Sequence, residues 1–445
     1  GWHGKRGCMN KRIAIVGAGW AGCAAAVTAV REGCHVTVFE ASHIPGGRAR
    51  KTVLEGMALD NGQHILLGAY RKTLEMMREV GVDPDTALVS LPLQMHYPPV
   101  PPLLQFEVPR WPAPLNLLAG LFGAKGLDWE DKLALARFFT ICRAIRWDIG
   151  EDRPLIRLLE QFRQSPKLYA LLWRPLCLAA LNTPPEQASA RVFMRVLQDS
   201  IGKRRADSDM LLPATDLSAL FPEPAIRYCQ DRGSEFRFGT TVRRIVHDGK
   251  SWTTDAAPQS RFDAIVLATP PTVAWRLLAG FGAAEPAPLP APSPIVTVYL
   301  KYPPSLTLGK PFFALLDDSE RDEWGQYVFD RGQIMPEQQG LLAVIVSAAH
   351  ALADVRSDRF IADTARQLAR CFGNDAFLHP LWGRVIMEKA ATLACLPDRT
   401  VPAIRQDGRG LFLAGDYLHP AYPGTLESAV SCGIQAIMAF LKDAD

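Results

Sequence analysis

No run of apolar residues in this chain approaches the length of a membrane-spanning helix, which excludes a helical integral membrane protein. Excess charge is also scarce. Lys and Arg number 49 against 46 Asp and Glu, so nothing argues for a nucleic-acid partner. The nine cysteines show no Cys-x-x-Cys spacing and leave an odd one over, which points to buried reduced thiols in a cytoplasmic protein rather than a disulfide framework. The nine histidines are scattered and never pair at ligand spacing, so no metal is expected. A short basic leader precedes the first apolar strand and leaves no room for the core of a signal peptide; Met9 is a candidate natural start, with residues 1–8 as a leader. At 445 residues the chain is long enough for two domains with sizeable cores.

What is present is concentrated at the two ends. Ile13-Ala-Ile-Val16 reads as a short buried strand, Gly17, Gly19 and Gly22 form G-x-G-x-x-G, and Ala24 to Arg31 continues as a helix. The first glycine permits a tight turn and the second lets the backbone approach a pyrophosphate. The third lets helix pack on strand, so that the helix N-terminus faces the anion. His35-Val-Thr-Val-Phe39 supplies the next strand and ends in Glu40, where an acid binds a ribose 2′-hydroxyl. Pro45-Gly-Gly-Arg48 then offers backbone amides and a guanidinium to a second side of the same phosphates. Far along the chain, Leu411-Phe-Leu-Ala-Gly-Asp416 is another buried strand ending in Gly-Asp, followed by Tyr422-Pro-Gly-Thr-Leu-Glu-Ser-Ala-Val430 and the start of an apolar helix. This layout resembles FAD enzymes of the amine oxidase and phytoene desaturase superfamily, which implies FAD as cofactor.

The middle of the chain carries a narrower resemblance. Leu59-Asp-Asn-Gly-Gln-His64 with Leu67-Gly-Ala-Tyr70, Trp173-Arg-Pro-Leu-Cys-Leu-Ala-Ala-Leu-Asn-Thr-Pro184, Ser208-Asp-Met-Leu-Leu-Pro213, Asp216 to Pro222 and Glu388-Lys-Ala-Ala-Thr392 are similar to motifs of the hydroxysqualene dehydroxylases. These are also called squalene-associated FAD-dependent desaturases. The resemblance runs from Met9 over nearly the whole chain, although Tyr422-Pro-Gly-Thr425 and Ala390 depart from the commonest family residues. It implies reductive removal of the hydroxyl of hydroxysqualene to give squalene, in hopanoid and squalene synthesis. The expected fold class is α/β, a Rossmann-type FAD-binding domain interrupted by a substrate domain of mixed sheet and helices. Residues 9–90, 203–283 and 385–445 are assigned to the first, 91–202 and 284–384 to the second. Within the latter, residues 130–200 read as helical, 286–294 as a linker, and Ile295 to Tyr302 and Leu341 to Ala348 as strands.

The resemblance assigns the cofactor to Gly17, Ala18, Gly19, Trp20, Ala21 and Gly22, to Glu40, Ala41, Gly47 and Arg48, and to Gly62, Gln63 and His64. Val242, Gly415, Asp416, Thr425 and Leu426 complete that set. Loss of water needs an acid to protonate the leaving hydroxyl, with a hydride then taken from reduced FAD. His64 is the first candidate; the plain alternative is a histidine that only hydrogen-bonds flavin or backbone. Asp209, as a carboxyl of raised pKa in an apolar tunnel, and Lys389 are the others, set against a turn carboxylate and a solvated lysine. Tyr70, Trp173, Asn182 and Met210 are candidate substrate contacts, as are Trp20 and Phe193, although Asn182 reads most simply as a turn residue and core packing suits the apolar ones. Two rival activities stay open, amine oxidation and carotenoid-type desaturation, as does a non-catalytic flavin-binding role. The sequence carries no signature of the electron donor.

A long-chain triterpenoid must be drawn from a bilayer. Residues 91–129 are rich in proline, leucine and tryptophan, with Trp111 and Trp129, and an arginine-containing helix follows. This segment is the candidate for peripheral contact with the inner face of the cell membrane, against a proline-rich loop packed over the substrate domain.

Overall fold

The computed structural model describes residues 10–284 and 286–444, so the expectations about residues 1–8 and Met9 lie outside the described residues. Ile13, Ala14 and Ile15 are fully buried on both faces of their strand, as the centre of a parallel sheet requires. That strand, Arg12–Val16, sits third in a six-stranded sheet ordered Glu235–Arg237, His35–Phe39, Arg12–Val16, Ala264–Leu267, Leu411–Leu413, Arg405–Asp407. The first five strands are parallel and the last is antiparallel. Alternation divides the two faces. Ile13, Ile15 and Val266 pack under the helix Trp20–Arg31, whereas Ala14, Val16 and Ile265 pack with Trp252, Phe262 and the helix Pro271–Phe281. The last helix, Leu426–Ala444, closes on the first at Gly433, where a Cβ would lie 2.2 Å from the carbonyl oxygen of Ala21.

A second, antiparallel sheet of five strands runs Phe312–Ala314, Tyr327–Asp330, Leu341–Ser347, Pro292–Lys301, Trp382–Leu393. Val296, Val298 and Leu300 pack in one core with Phe360 and Leu368 of the helix Ser357–Phe372, while Tyr299 and Ile345 pack in another with Leu59. A separate, mainly helical core is built around Phe138, Trp173 and Phe193.

Three expectations are corrected. The boundary at 385 falls inside the strand Trp382–Leu393, which belongs to the five-stranded sheet, so the chain returns to the six-stranded sheet only at Arg405–Asp407. The span 286–294 is not wholly linker, because the strand Pro292–Lys301 begins within it. Residues 91–129 are more than a proline-rich loop: Gln94–His96 and Gln105–Glu107 pair as a hairpin, and Leu115–Gly123 is a helix. The proline run 98–102 lies in the connection between the hairpin strands, a position that needs no backbone donor.

Candidate active site

Two of the three motif glycines are imposed by the protein itself. Gly17 has φ +107° and a Cβ there would lie 2.4 Å from the Ala268 carbonyl oxygen; at Gly22 it would lie 1.9 Å from the oxygen of Gly17. Gly19 differs. A Cβ at Gly19 would meet only Gly47 Cα at 3.8 Å and Gly47 N at 4.0 Å, an ordinary contact. The requirement for glycine there comes from outside the chain, as when a diphosphate lies against the backbone. The Gly46-Gly47-Arg48 loop stands on the other side of that space, bridged to Gly19 in parallel fashion, with the Gly46 amide donating to Ala18 O at 2.8 Å. Trp20 holds this loop from below: its indole donates to Ala49 O at 2.9 Å. Trp20 is thus a buried anchor, and the possibility that it lines a tunnel is corrected.

Glu40 ends its strand with the carboxylate turned onto the glycine turn, accepting from the Ala18 amide at 2.6 Å and from Ser42 N at 2.9 Å. Ala41 beside it is exposed, and Val242 is buried with Val16 and Phe39. The opposite end of the chain meets the same place. Arg48 donates to Asp416 Oδ1 at 2.8 Å and to Ala391 O at 2.5 Å, and the Asp416 charge raises the pKa of the guanidinium. Gly415 and Asp416 follow the strand Leu411–Leu413, and Gly424 N donates back to Asp416 O at 3.2 Å. Thr425 caps the last helix, its hydroxyl accepting from Ser428 N at 3.0 Å, and Leu426 is the first helical residue. Tyr70 lies near them: burial raises its pKa, and the Glu427 charge adds to the rise.

The strand Trp382–Leu393 is bulged at this point. Ser293 pairs with Thr392 and Ile295 with Glu388, so Lys389, Ala390 and Ala391 oppose a single residue. The bulge turns the Ala391 carbonyl toward Arg48 and leaves Lys389 exposed.

The loop Asn61–His64 lies over the second sheet. Tyr299 donates its hydroxyl to Asp60 O at 2.9 Å, and Gly62 sits against Thr297, whose partner across the strands is Ile386. His64 Nδ1 is 3.0 Å from Gly62 O, so Nδ1 carries a hydrogen and Nε2 is the free nitrogen. Burial first, and the Arg48 charge in addition, lower the His64 pKa below its ordinary 6.5. Gln63 is clamped: its Oε1 accepts from Arg331 Nη1 at 2.8 Å.

Two participants escaped the sequence reading. Arg331 is 3% exposed and lies 268 residues from Gln63, with no local motif to announce it. Asp60 does have a signal, an acid closing an apolar strand. Burial pushes its pKa up from 3.8 to about 7, against a backbone hydrogen bond from Leu217 and the Arg331 charge. A raised acid pKa means that the folded state binds more protons than the unfolded chain between pH 4 and 7, so stability falls as pH rises through that window. Asp60→Asn keeps the acceptor for Leu217 N. It is expected to match the wild type at pH 4 in urea unfolding and to exceed it above pH 7, with a ceiling of ~4 kcal/mol. Equal stability at both pH values would refute the raised pKa.

The remaining candidates scatter. Gly68 presses against Ala206, with Gly68 N donating to Asp209 O at 2.9 Å, so the segments around Tyr70 and Met210 are joined. The Asp209 carboxylate, however, accepts from Arg205 at 3.0 and 3.3 Å, which corrects the expectation of a carboxyl standing in an apolar tunnel. Trp173 is also corrected: it is 1% exposed, packed on Phe138 and Phe193, with its indole donating to Gln164. Phe193 is core with it. Asn182 is a structural clamp, left-handed at φ 48°, donating to Ser293 O and Thr392 Oγ1 and accepting from Ala348 N; no polar atom is left for substrate. Met210, paired with Leu67 across the strands, remains partly open; it packs against the same apolar core as Ile65, Leu172, Leu176, Ile295 and Ile386.

The residues fit FAD: an open glycine cradle, an acid turned onto the glycine turn at the end of the second strand, a helix N-terminus capped by Thr425, and Arg48 tying the parts together. The chain is 28% identical to the hydroxysqualene dehydroxylase of Rhodopseudomonas palustris over 96% of this chain and 98% of that protein. It is 26% identical to that of Sinorhizobium fredii over the same shares. Its fold superposes on cyclohexylamine oxidase from Brevibacterium oxydans with a TM-score of 0.68 at 18% identity, covering 97% of this chain and 99% of the other. A family model described as flavin containing amine oxidoreductase matches residues 20–436, and the chain belongs to that family, an FAD-dependent oxidoreductase.

Proposed function

We propose that this enzyme reductively removes the hydroxyl of hydroxysqualene, giving squalene and water. The observation that carries the reading is the full-length similarity to two hydroxysqualene dehydroxylases, which extends beyond the dinucleotide fold into the substrate sheet and helices. The partly buried apolar residues of the core that takes in Leu59 and Ile65, which flank the Asn61–His64 loop in the chain, support it, because a hydrocarbon with one hydroxyl needs a dry surface and few polar groups. FAD, when bound and reduced, supplies the hydride equivalent. The chain must supply the proton that lets the hydroxyl leave as water.

His64 is assigned that proton at Nε2, since Nδ1 is committed to Gly62 O. An imidazole of lowered pKa is mostly neutral at neutral pH, but its protonated form is a stronger acid toward a weakly basic alcohol. Turnover is therefore expected to rise as pH falls from 8 toward 6. His64→Gln is expected to lose that slope and to slow single turnover by about a hundredfold, within the range for one general acid. Asp209 holds Gly68 through its main-chain carbonyl while its carboxylate is taken up by Arg205, and Lys389 adds positive charge on the bulge.

The reading is tested by one anaerobic turnover, in which flavin is reduced chemically, hydroxysqualene is added, and reoxidation is followed together with product. Stoichiometric squalene with oxidised flavin supports it. Reduced flavin persisting beside unchanged substrate refutes it, and new conjugated absorbance from a polyene would favour desaturation.

A further inference from the structure

We infer that the outward face of the helix Leu115–Gly123, together with the first turn of the helix Trp129–Ala144, docks on a phospholipid bilayer carrying anionic headgroups. Of the fourteen large apolar side chains exposed among the described residues, five fall here, Leu115, Leu118, Phe122, Trp129 and Leu133, and a sixth, Trp111, precedes the first helix by four residues. Leu115, Leu118 and Phe122 follow one another at helical spacing on one face, and the other face holds the helix to the protein. Gly120 sits against Val108, where a Cβ would come within 3.2 Å. Asn116, the only polar side chain of this helix, is turned inward and buried. The outward face therefore has no polar group.

The two elements form one surface. The rings of Phe122 and Trp129 lie 6.1 Å apart, and Leu133 follows Trp129 one turn along, 64% exposed. The edge is cationic. No charged residue occurs between Arg110 and Lys125, and both of these are exposed. Lys132 Nζ donates to Phe122 O at 2.9 Å and stands 5.7 Å from the Trp129 ring, which places an ammonium beside an indole at the border of the apolar face. From Lys132 to Arg146 there is no acid, and Arg137 and Arg143 are exposed. The nearby acids Asp128 and Asp131 are engaged in the capping box, and Asp131 also in bonds with Ser165 and Lys167; Glu130 is left on the flank.

A tryptophan flanked by cations and backed by Leu and Phe is the chemistry of the headgroup boundary. Nine helical residues span ~14 Å at 1.5 Å each, enough to lie in that boundary and too little to cross a bilayer. The face is carried by its own geometry. Only its purpose, access to an insoluble substrate, rests on the dehydroxylase reading.

The test is sedimentation of the full-length, FAD-loaded protein with vesicles of phosphatidylcholine alone and of phosphatidylcholine mixed with phosphatidylglycerol, without substrate. Binding to the mixed vesicles at least tenfold above the neutral ones is expected. The pair Leu118→Ser and Phe122→Ser is expected to lower it tenfold or more, with turnover of detergent-dispersed substrate within twofold of wild type. Lys125→Glu is expected to weaken binding to the mixed vesicles severalfold and to leave neutral vesicles unaffected. Should the double variant not fold, Leu115→Ser alone, at a 59% exposed position, gives the same readout. The inference is overturned if the wild type stays in the supernatant with both vesicles, or if folded variants bind as well as wild type. It is also overturned if the apolar face instead drives a concentration-dependent dimer that the double variant abolishes. Failure of the anaerobic turnover leaves this binding result intact, so the two readings fail separately.

Discussion

Gly19→Ala is expected to leave a folded apoprotein whose affinity for FAD has fallen at least a hundredfold, whereas Gly22→Ala is expected to yield no folded protein. The two glycines belong to one motif, yet they answer to different constraints. At Gly22 a methyl group would lie 1.9 Å from the Gly17 carbonyl oxygen, so the helix Trp20–Arg31 would have to lift off its strand. That strand is central in the six-stranded sheet, and its helix is also packed on Leu426–Ala444. A methyl at Gly19 disturbs nothing in the chain, because the nearest atom is 3.8 Å away, but it fills the space where backbone amides would approach a diphosphate. A hundredfold loss corresponds to ~2.8 kcal/mol. Urea unfolding of the flavin-free protein and a flavin fluorescence titration separate the two effects. If Gly19→Ala binds FAD like the wild type, the cradle has been misassigned.

Arg48→Met is expected to unfasten the two ends of the chain. The guanidinium holds Asp416 and the Ala391 carbonyl at once, and its removal leaves the Asp416 carboxylate, whose side chain is 11% exposed, without its ion pair. Removing one partner of a buried pair costs about 3–5 kcal/mol. Because the Arg48 side chain itself is 38% exposed, ~1–3 kcal/mol is the expected loss for the flavin-free protein, with FAD binding weakened further. Asp416→Asn added to Arg48→Met is expected to restore part of the stability, since it discharges the stranded carboxylate. A double-mutant cycle in urea gives the coupling, expected at ~1 kcal/mol or more. Strict additivity would show that the pair does not join the ends.

The cofactor half of the site was legible because its requirements are local. A strand, three glycines, a helix and an acid at the next strand end are written within residues 12–40, and each is demanded by sterics or charge between near neighbours. The strand Leu411–Leu413 and the start of an apolar helix after Tyr422-Pro-Gly were readable for the same reason. Trp173 and Asn182 were misplaced as substrate contacts because an aromatic or an amide gives the same signal in a core, a cap or a pocket. Only neighbours from distant segments decide which, here Phe138 and Gln164 for one and Ser293 and Ala348 for the other.

The sequence by itself determined the dinucleotide fold, the glycine turn and the family. Tertiary structure alone decided that Arg48 meets Asp416 across 368 residues, that Arg331 clamps Gln63, and that a two-residue excess around Lys389 bulges the strand Trp382–Leu393 toward Arg48. Periodicity and backbone sterics are short-range and repeat along the chain, so they can be read there. Ion pairs and burial depend on which surfaces the two sheets bring together, and that is set by the packing of the whole.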